Sequence, residues 1–223
     1  MEPGGLDRSA VWFAWAGVAG VVVFDLGWLV AEAVQTGGYS VGRHDVSDLG
    51  ALTAQHAWVV LITAGISGVL TIAFAIGGLR PVLRIPGRRD ALGAWLLAAS
   101  LMGLDNVSDA FFRLDCRAAD PGCSSAVAMG SWHGTVHAVV GVIAAVATMG
   151  ALFTLPPRMR RIGAWQDLAR PMLATAWVFT ALLVAYVARE GRAGGGLLQR
   201  VLIVILSVVV IVLALRVRRL ARR

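Results

Sequence analysis

LLQRVLIVILSVVVIVLAL, residues 197–215, carries one charge in nineteen residues. A hydrocarbon layer roughly 30 Å thick takes about 20 residues of helix to cross, so this run reads as a transmembrane helix. Five further stretches qualify, at 11–34, 57–79, 91–112, 133–155 and 171–188. The chain has 223 residues, 58% of them hydrophobic, and a mean hydropathy of +0.75, too apolar for a soluble domain that must cover its core with charge. The expected fold is all-α, a polytopic membrane bundle of six transmembrane helices forming one integral membrane domain over 1–223. An Ala31-Glu32-Ala33 stretch would suit a signal peptidase, but the apolar part before it is long and contains Asp25, so a retained first helix is expected.

Every basic residue is an arginine, and the net charge is +7. Fourteen of the arginines fall at one set of helix ends: Arg8; Arg80, Arg84, Arg88 and Arg89; Arg158, Arg160, Arg161 and Arg170; and the tail Arg216, Arg218, Arg219, Arg222 and Arg223. Six lie at the other: Arg43, Arg113, Arg117, Arg189, Arg192 and Arg200. The positive-inside rule then places both termini in the cytoplasm of a cell whose plasma membrane the chain spans several times. Charge placed this way orients a membrane protein, so no nucleic-acid partner is expected. The basic tail reads as a topology anchor.

Orientation gives each polar residue a depth, because a helix rises about 1.5 Å per residue. Asp25 falls about 21 Å from the inner boundary, and Glu32 on the same face nears the outer one. Asp105, Asn106, Ser108 and Asp109 occupy the outer half of the third span, and His137 lies roughly 6 Å below the outer surface. An ionised side chain in hydrocarbon costs at least about 2.5–3.5 kcal/mol, so these groups should face the bundle interior. An outward-facing polar pocket built by spans one to four, including Asp25, Glu32 and Ser108, is the simplest arrangement. The last helix, nearly free of charge, reads as lipid-facing scaffold.

Two outer loops complete that face. The first contains Ser47 and Asp48 ahead of Leu-Gly-Ala, a natural N-cap for a following helix. The second carries Cys116 and Cys123 on either side of Asp-Pro-Gly, and two cysteines facing an oxidising space favour a disulfide. The ordered set Ser47-Asp48-Leu49-Gly50, Phe112-Arg113-Leu114-Asp115-Cys116, Asp120-Pro121-Gly122-Cys123 and Gly134-x-x-His137 resembles the bacterial and archaeal six-helix membrane family catalogued as domain of unknown function 998. The resemblance covers nearly the whole chain and implies a fold and a patterned outer face, with no activity attached. More remotely, the ingredients are similar to those of the alkaline ceramidase-like membrane hydrolases, whose zinc site uses Ser, Asp and three His. This chain departs from them in having six helices and in carrying HxxxH on the fourth.

Two functions fit these residues. In the first, His133 and His137, four apart and so on one helix face, bind zinc with His56 as third ligand or with Asp105 or Asp109 in that place. The metal activates water to hydrolyse a lipid or envelope substrate, and Asp105, Asp109, Ser47 and Asp48 supply base or nucleophile chemistry. In the second, the same pocket binds a small molecule, a membrane lipid or a protein partner without chemistry. His137 then bonds Asp105 or Asp109 as a structural network, Asp25 and Glu32 form a solvated lip or pair with Arg43, and Ser47-Asp48 is a cap. No relay of histidine pairs supports transmembrane electron transfer. Transport is disfavoured because it is expected to use internal repeats or broken helices near the mid-membrane, whereas the polar groups here are displaced outward. The sequence carries no signal for oligomeric state.

Overall fold

A computed structural model describes residues 8–189 and 191–222; the side chain of Arg8 and all of Arg223, both counted in the charge asymmetry, lie outside the described set. Every regular element among the described residues is helical. Helix α1 runs Arg8–Ala33, α2 Trp58–Ala73 with a wider turn Phe74–Leu79 that carries it to Val82, α3 Leu92–Ala98, α4 Asn106–Asp109, α5 Trp132–Met159, α6 Gln166–Arg189 and α7 Gly195–Ala221. Five helices are long and apolar enough to cross a membrane: Ser9–Ala33, Trp58–Val82, Trp132–Met159, Gly163–Arg189 and Gly195–Ala221.

The expected third span, 91–112, is not a continuous helix. After α3 the backbone turns extended at Ser100 (φ −76°, ψ 177°), makes one wide turn over Leu101–Asp105 and re-enters as α4. Hydropathy averages over such a break, which is why the sequence conceals it. In a dry interior the freed backbone groups need partners, and hydroxyls supply them. Ser100 Oγ donates to Leu97 O at 2.6 Å, and Leu101 N–H donates to Thr148 Oγ1 on α5 at 3.1 Å. The broken segment packs between α2 and α5. Its backbone comes so close to α2 that a Cβ on Gly68 would stand 2.6 Å from Gly103 O.

Helix α1 packs chiefly against α2 and α7. Helix α7 is not wholly lipid-facing: Leu206, Val210, Leu213 and Val217 on one side belong to the core, while Val201, Val204 and Val208 are exposed. A lipid-facing helix and a helix-facing one have the same hydropathy, since lipid tails are as apolar as leucine. Helix α5 runs through Pro156 and Pro157 and α6 through Pro171, so α5 continues past the expected end at 155 and α6 begins before 171.

Candidate functional site

Loops 34–57 and 110–131 meet at one end of the bundle, and the motifs singled out above are what joins them. Arg113 donates through Nε to Gly50 O and through Nη2 to Ala51 O, both at 2.8 Å, and Leu52 N–H donates to Leu114 O at 2.9 Å. Asp48 is buried and accepts Ala118 N–H at 3.0 Å. Burial pushes its carboxyl above the usual 3.8, the Ala118 bond offsetting part of that. Ser47 and Asp48 are therefore not an N-cap of α2. They form a separate turn over Ser47–Gly50 with no side-chain cap bond, and α2 starts at Trp58.

Arg117 is buried and ties the disulfide loop to the end of α1. It bonds Asp120 Oδ1 at 2.6 Å, Gln35 Oε1 at 3.1 Å and Thr36 O at 3.0 Å. Thr53 also donates to Asp120. Burial alone would raise the Asp120 carboxyl, but these bonds outweigh it and hold it below 3.8. Cys116 and Cys123 are disulfide-bonded.

Beneath this lid lies a cavity of about 40 Å³, room for roughly three waters at 10–15 Å³ each. Its wall is mostly apolar, with Phe24, Val60, Leu61, Ala64 and Phe112, and its polar groups are Ser47, Arg113, Asp109 and His137. His137 Nδ1 stands 2.9 Å from Asp109 Oδ1, so α5 and the broken segment meet at a close His–Asp contact at the cavity wall. Asp105, one turn before Asp109, interacts electrostatically with both. It faces Gly141, one turn after His137, where a Cβ would stand 3.9 Å from Asp105 Oδ1. Asp105 Oδ1, Asn106 Nδ2 and Ser108 Oγ are buried without a hydrogen-bond partner, and Asp109 Oδ1 and His137 Nδ1, though close, do not meet in hydrogen-bond geometry.

The other expected members go elsewhere. His133 stacks on Trp132 with ring centroids 3.7 Å apart and lies 5.9 Å from Phe112, so aromatic neighbours take the ring that was to share a metal with His137. His56 is exposed at the entry to α2, in a left-handed conformation (φ 53°). Among the described residues no three His, Cys, Asp or Glu side chains are grouped to hold a metal ion; His56, His133 and His137 are not brought together.

Asp25 and Glu32 do not line this cavity either, because both turn to α7. Asp25 accepts from Ser207 Oγ at 3.1 Å and from Trp28 Nε1 at 3.2 Å. Glu32 pairs with Arg200, not with Arg43. Ser207 and Thr148 carry no signal in the sequence. Arg113 stands in the family-like motif without a role of its own, and Arg200 is a cation inside an apolar run at the depth of Glu32.

The molecule is thus a helical, membrane-like protein with apolar spans, interlocked loops at one end and a small cavity beneath them whose wall includes Asp109 and His137. The chain belongs to the family described as protein of unknown function DUF998, which it matches over residues 18–216. No curated protein and no solved structure matches it.

Proposed function

We propose that the chain is a multi-pass plasma-membrane protein with cytoplasmic termini, whose outward-facing His137–Asp109 cavity receives the end of the polar group of an amphipathic ligand, a lipid or lipid-like molecule whose remainder lies outside the cavity. The observation that carries the reading is the close approach of His137 and Asp109, set in a wall that is otherwise mostly apolar. Ligand sites commonly combine an apolar lining with a few convergent polar groups, and intramembrane ionisable residues mark functional positions. The arginine asymmetry supports cytoplasmic termini, and a disulfide at the opposite end suits an oxidising space. The break at Ala99–Ser100 supports no transport site, because its loosened groups are bonded to Leu97 and Thr148.

Metal-dependent hydrolysis needs three protein donors around one open position, whereas the cavity offers the single pair His137 and Asp109. Ligand binding without chemistry is therefore the better supported reading. The test is mass-spectrometric analysis of molecules extracted from the purified protein and from Asp109→Asn and His137→Ala. A species held in stoichiometric amount and lost from both variants, with helicity unchanged, is expected. Identical extracts would overturn the reading. So would stoichiometric zinc lost on His137→Ala, which would restore the hydrolase.

A further inference from the structure

The arginine-rich end of the bundle holds a second, larger cavity that the ligand reading does not use. Its volume is about 200 Å³, more than ten times the 10–15 Å³ that admits one water. It lies between the start of α3, at Ala91 and Gly93, and the end of α5, at Thr154, Pro157 and Arg158. Arg158 donates through Nε to Leu83 O at 2.8 Å, which fixes the plane of the guanidinium. Its Nη2 is buried and has no partner. Arg161, exposed in the turn after α5, lines the same space.

The other polar groups of the wall are already engaged. Asp90 accepts from Arg80 Nε at 2.7 Å, Ala91 N–H at 2.8 Å and Trp95 Nε1 at 3.1 Å. Its charge is balanced by Arg80 and does not neutralise Arg158. Thr154 Oγ1 donates to Gly150 O at 2.6 Å, so its proton is used within the helix. The cavity therefore presents two guanidinium groups, one of them held rigid with a buried donor unsatisfied, and no uncompensated carboxylate.

We propose that this cavity binds a phosphate group, carried by the headgroup of an anionic membrane lipid. A planar guanidinium presents parallel N–H donors that match phosphate oxygens. A buried donor left unpaired is costly, so an anionic acceptor at Nη2 is favoured over an empty site. The position selects the lipid as the source. Apolar helices α3 and α5 end here, the exposed Trp95 ring lies under Arg80 at 4.9 Å, and interfacial tryptophan with arginine marks headgroup depth.

The experiment is native mass spectrometry of the full chain in neutral detergent with phosphatidylglycerol, with phosphatidylcholine, and with inorganic phosphate as competitor. One phosphatidylglycerol per chain is expected to survive, bound more tightly than phosphatidylcholine and not displaced by phosphate. Losing a charge-assisted bond weakens binding about tenfold or more, so Arg158→Gln should do that and Arg161→Gln should weaken it severalfold. Arg88→Gln, exposed in the loop and off the cavity, should leave it unchanged. If Arg158→Gln fails to fold for want of its Leu83 bond, Arg161→Gln decides, since that side chain is bonded to nothing among the described residues. Displacement by inorganic phosphate would keep the phosphate site and overturn the lipid as its source. Equal retention by wild type and both cavity variants, or equal weakening by Arg88→Gln, would overturn the site.

Discussion

Asp115 accepts the backbone N–H and the hydroxyl of Ser131 at 2.7 and 2.6 Å, and Ser131 Oγ in turn accepts Gly134 N–H at 3.2 Å as N-cap of α5. One carboxylate in the disulfide loop therefore sets the start of the helix that carries His137. The Ser131 hydroxyl and then its N–H hold the Asp115 carboxyl below the usual 3.8. A lowered folded value stabilises above the unfolded one and is lost as pH falls through the folded one. The amides of Ser131 and Gly134 should therefore be protected at neutral pH and lose protection as pH drops below about 3.8. Asp115→Asn should exchange faster at neutral pH and converge with wild type in acid. Hydrogen exchange measures both, and parallel curves for the two proteins would refute the clamp.

Arg200 and Glu32 are 8% and 11% exposed at their side chains. Removing one member of a buried pair leaves the other uncompensated, at about 3–5 kcal/mol. Arg200 also donates to His44 O at 2.9 Å, Gly196 O at 2.7 Å and Tyr39 Oη at 2.6 Å. Arg200→Ala should therefore cost more than Glu32→Gln, whose amide oxygen still accepts from the guanidinium. Reversible unfolding in mixed micelles ranks the two variants, and the reverse order would show that the ion pair, not the loop anchoring, dominates.

The reach of sequence reasoning follows from what hydropathy encodes. A run such as 197–215 reports that a helix is apolar and says nothing about whether its neighbour is lipid or another helix, so five spans were legible and the burial of α7 was not. Charges in apolar runs reported burial, hence Asp25, Glu32, Asp109 and His137 were found. Their partners were not, because depth fixes one coordinate and leaves the angle around the bundle open. Asp25 consequently meets Ser207 rather than His137. The spacing of His133 and His137 fixed a shared face, but Trp132 beside His133 decided where that ring went.

Gly68 is where α2 meets the broken segment. A Cβ there would stand 2.6 Å from Gly103 O and 2.7 Å from Val107 N. Both are backbone atoms, so relief requires moving the segment that bears Asp105 and Asp109. Gly68→Ala should destabilise by at least the 1–3 kcal/mol typical of overpacking. Gly163→Ala, with nothing within 4 Å of the added Cβ, should lose no stability. Thermal unfolding of the two variants side by side is the check, and equal stabilities would mean that the two helices separate freely at this contact.

Thr148 holds the break itself. Its hydroxyl accepts Leu101 N–H at 3.1 Å while donating to Ala144 O at 2.7 Å. Thr148→Val keeps the shape and removes the acceptor. Ala144 O still receives the N–H of residue 148 along the helix, but Leu101 N–H is orphaned in a dry interior, at about 1–3 kcal/mol. Thr148→Ser retains the acceptor and should recover most of that loss. Faster hydrogen exchange at 99–103 in the valine variant alone, together with lower stability, is the expected pair of results. If valine and serine behave alike, the hydroxyl bond is not what holds the third segment in its interrupted form.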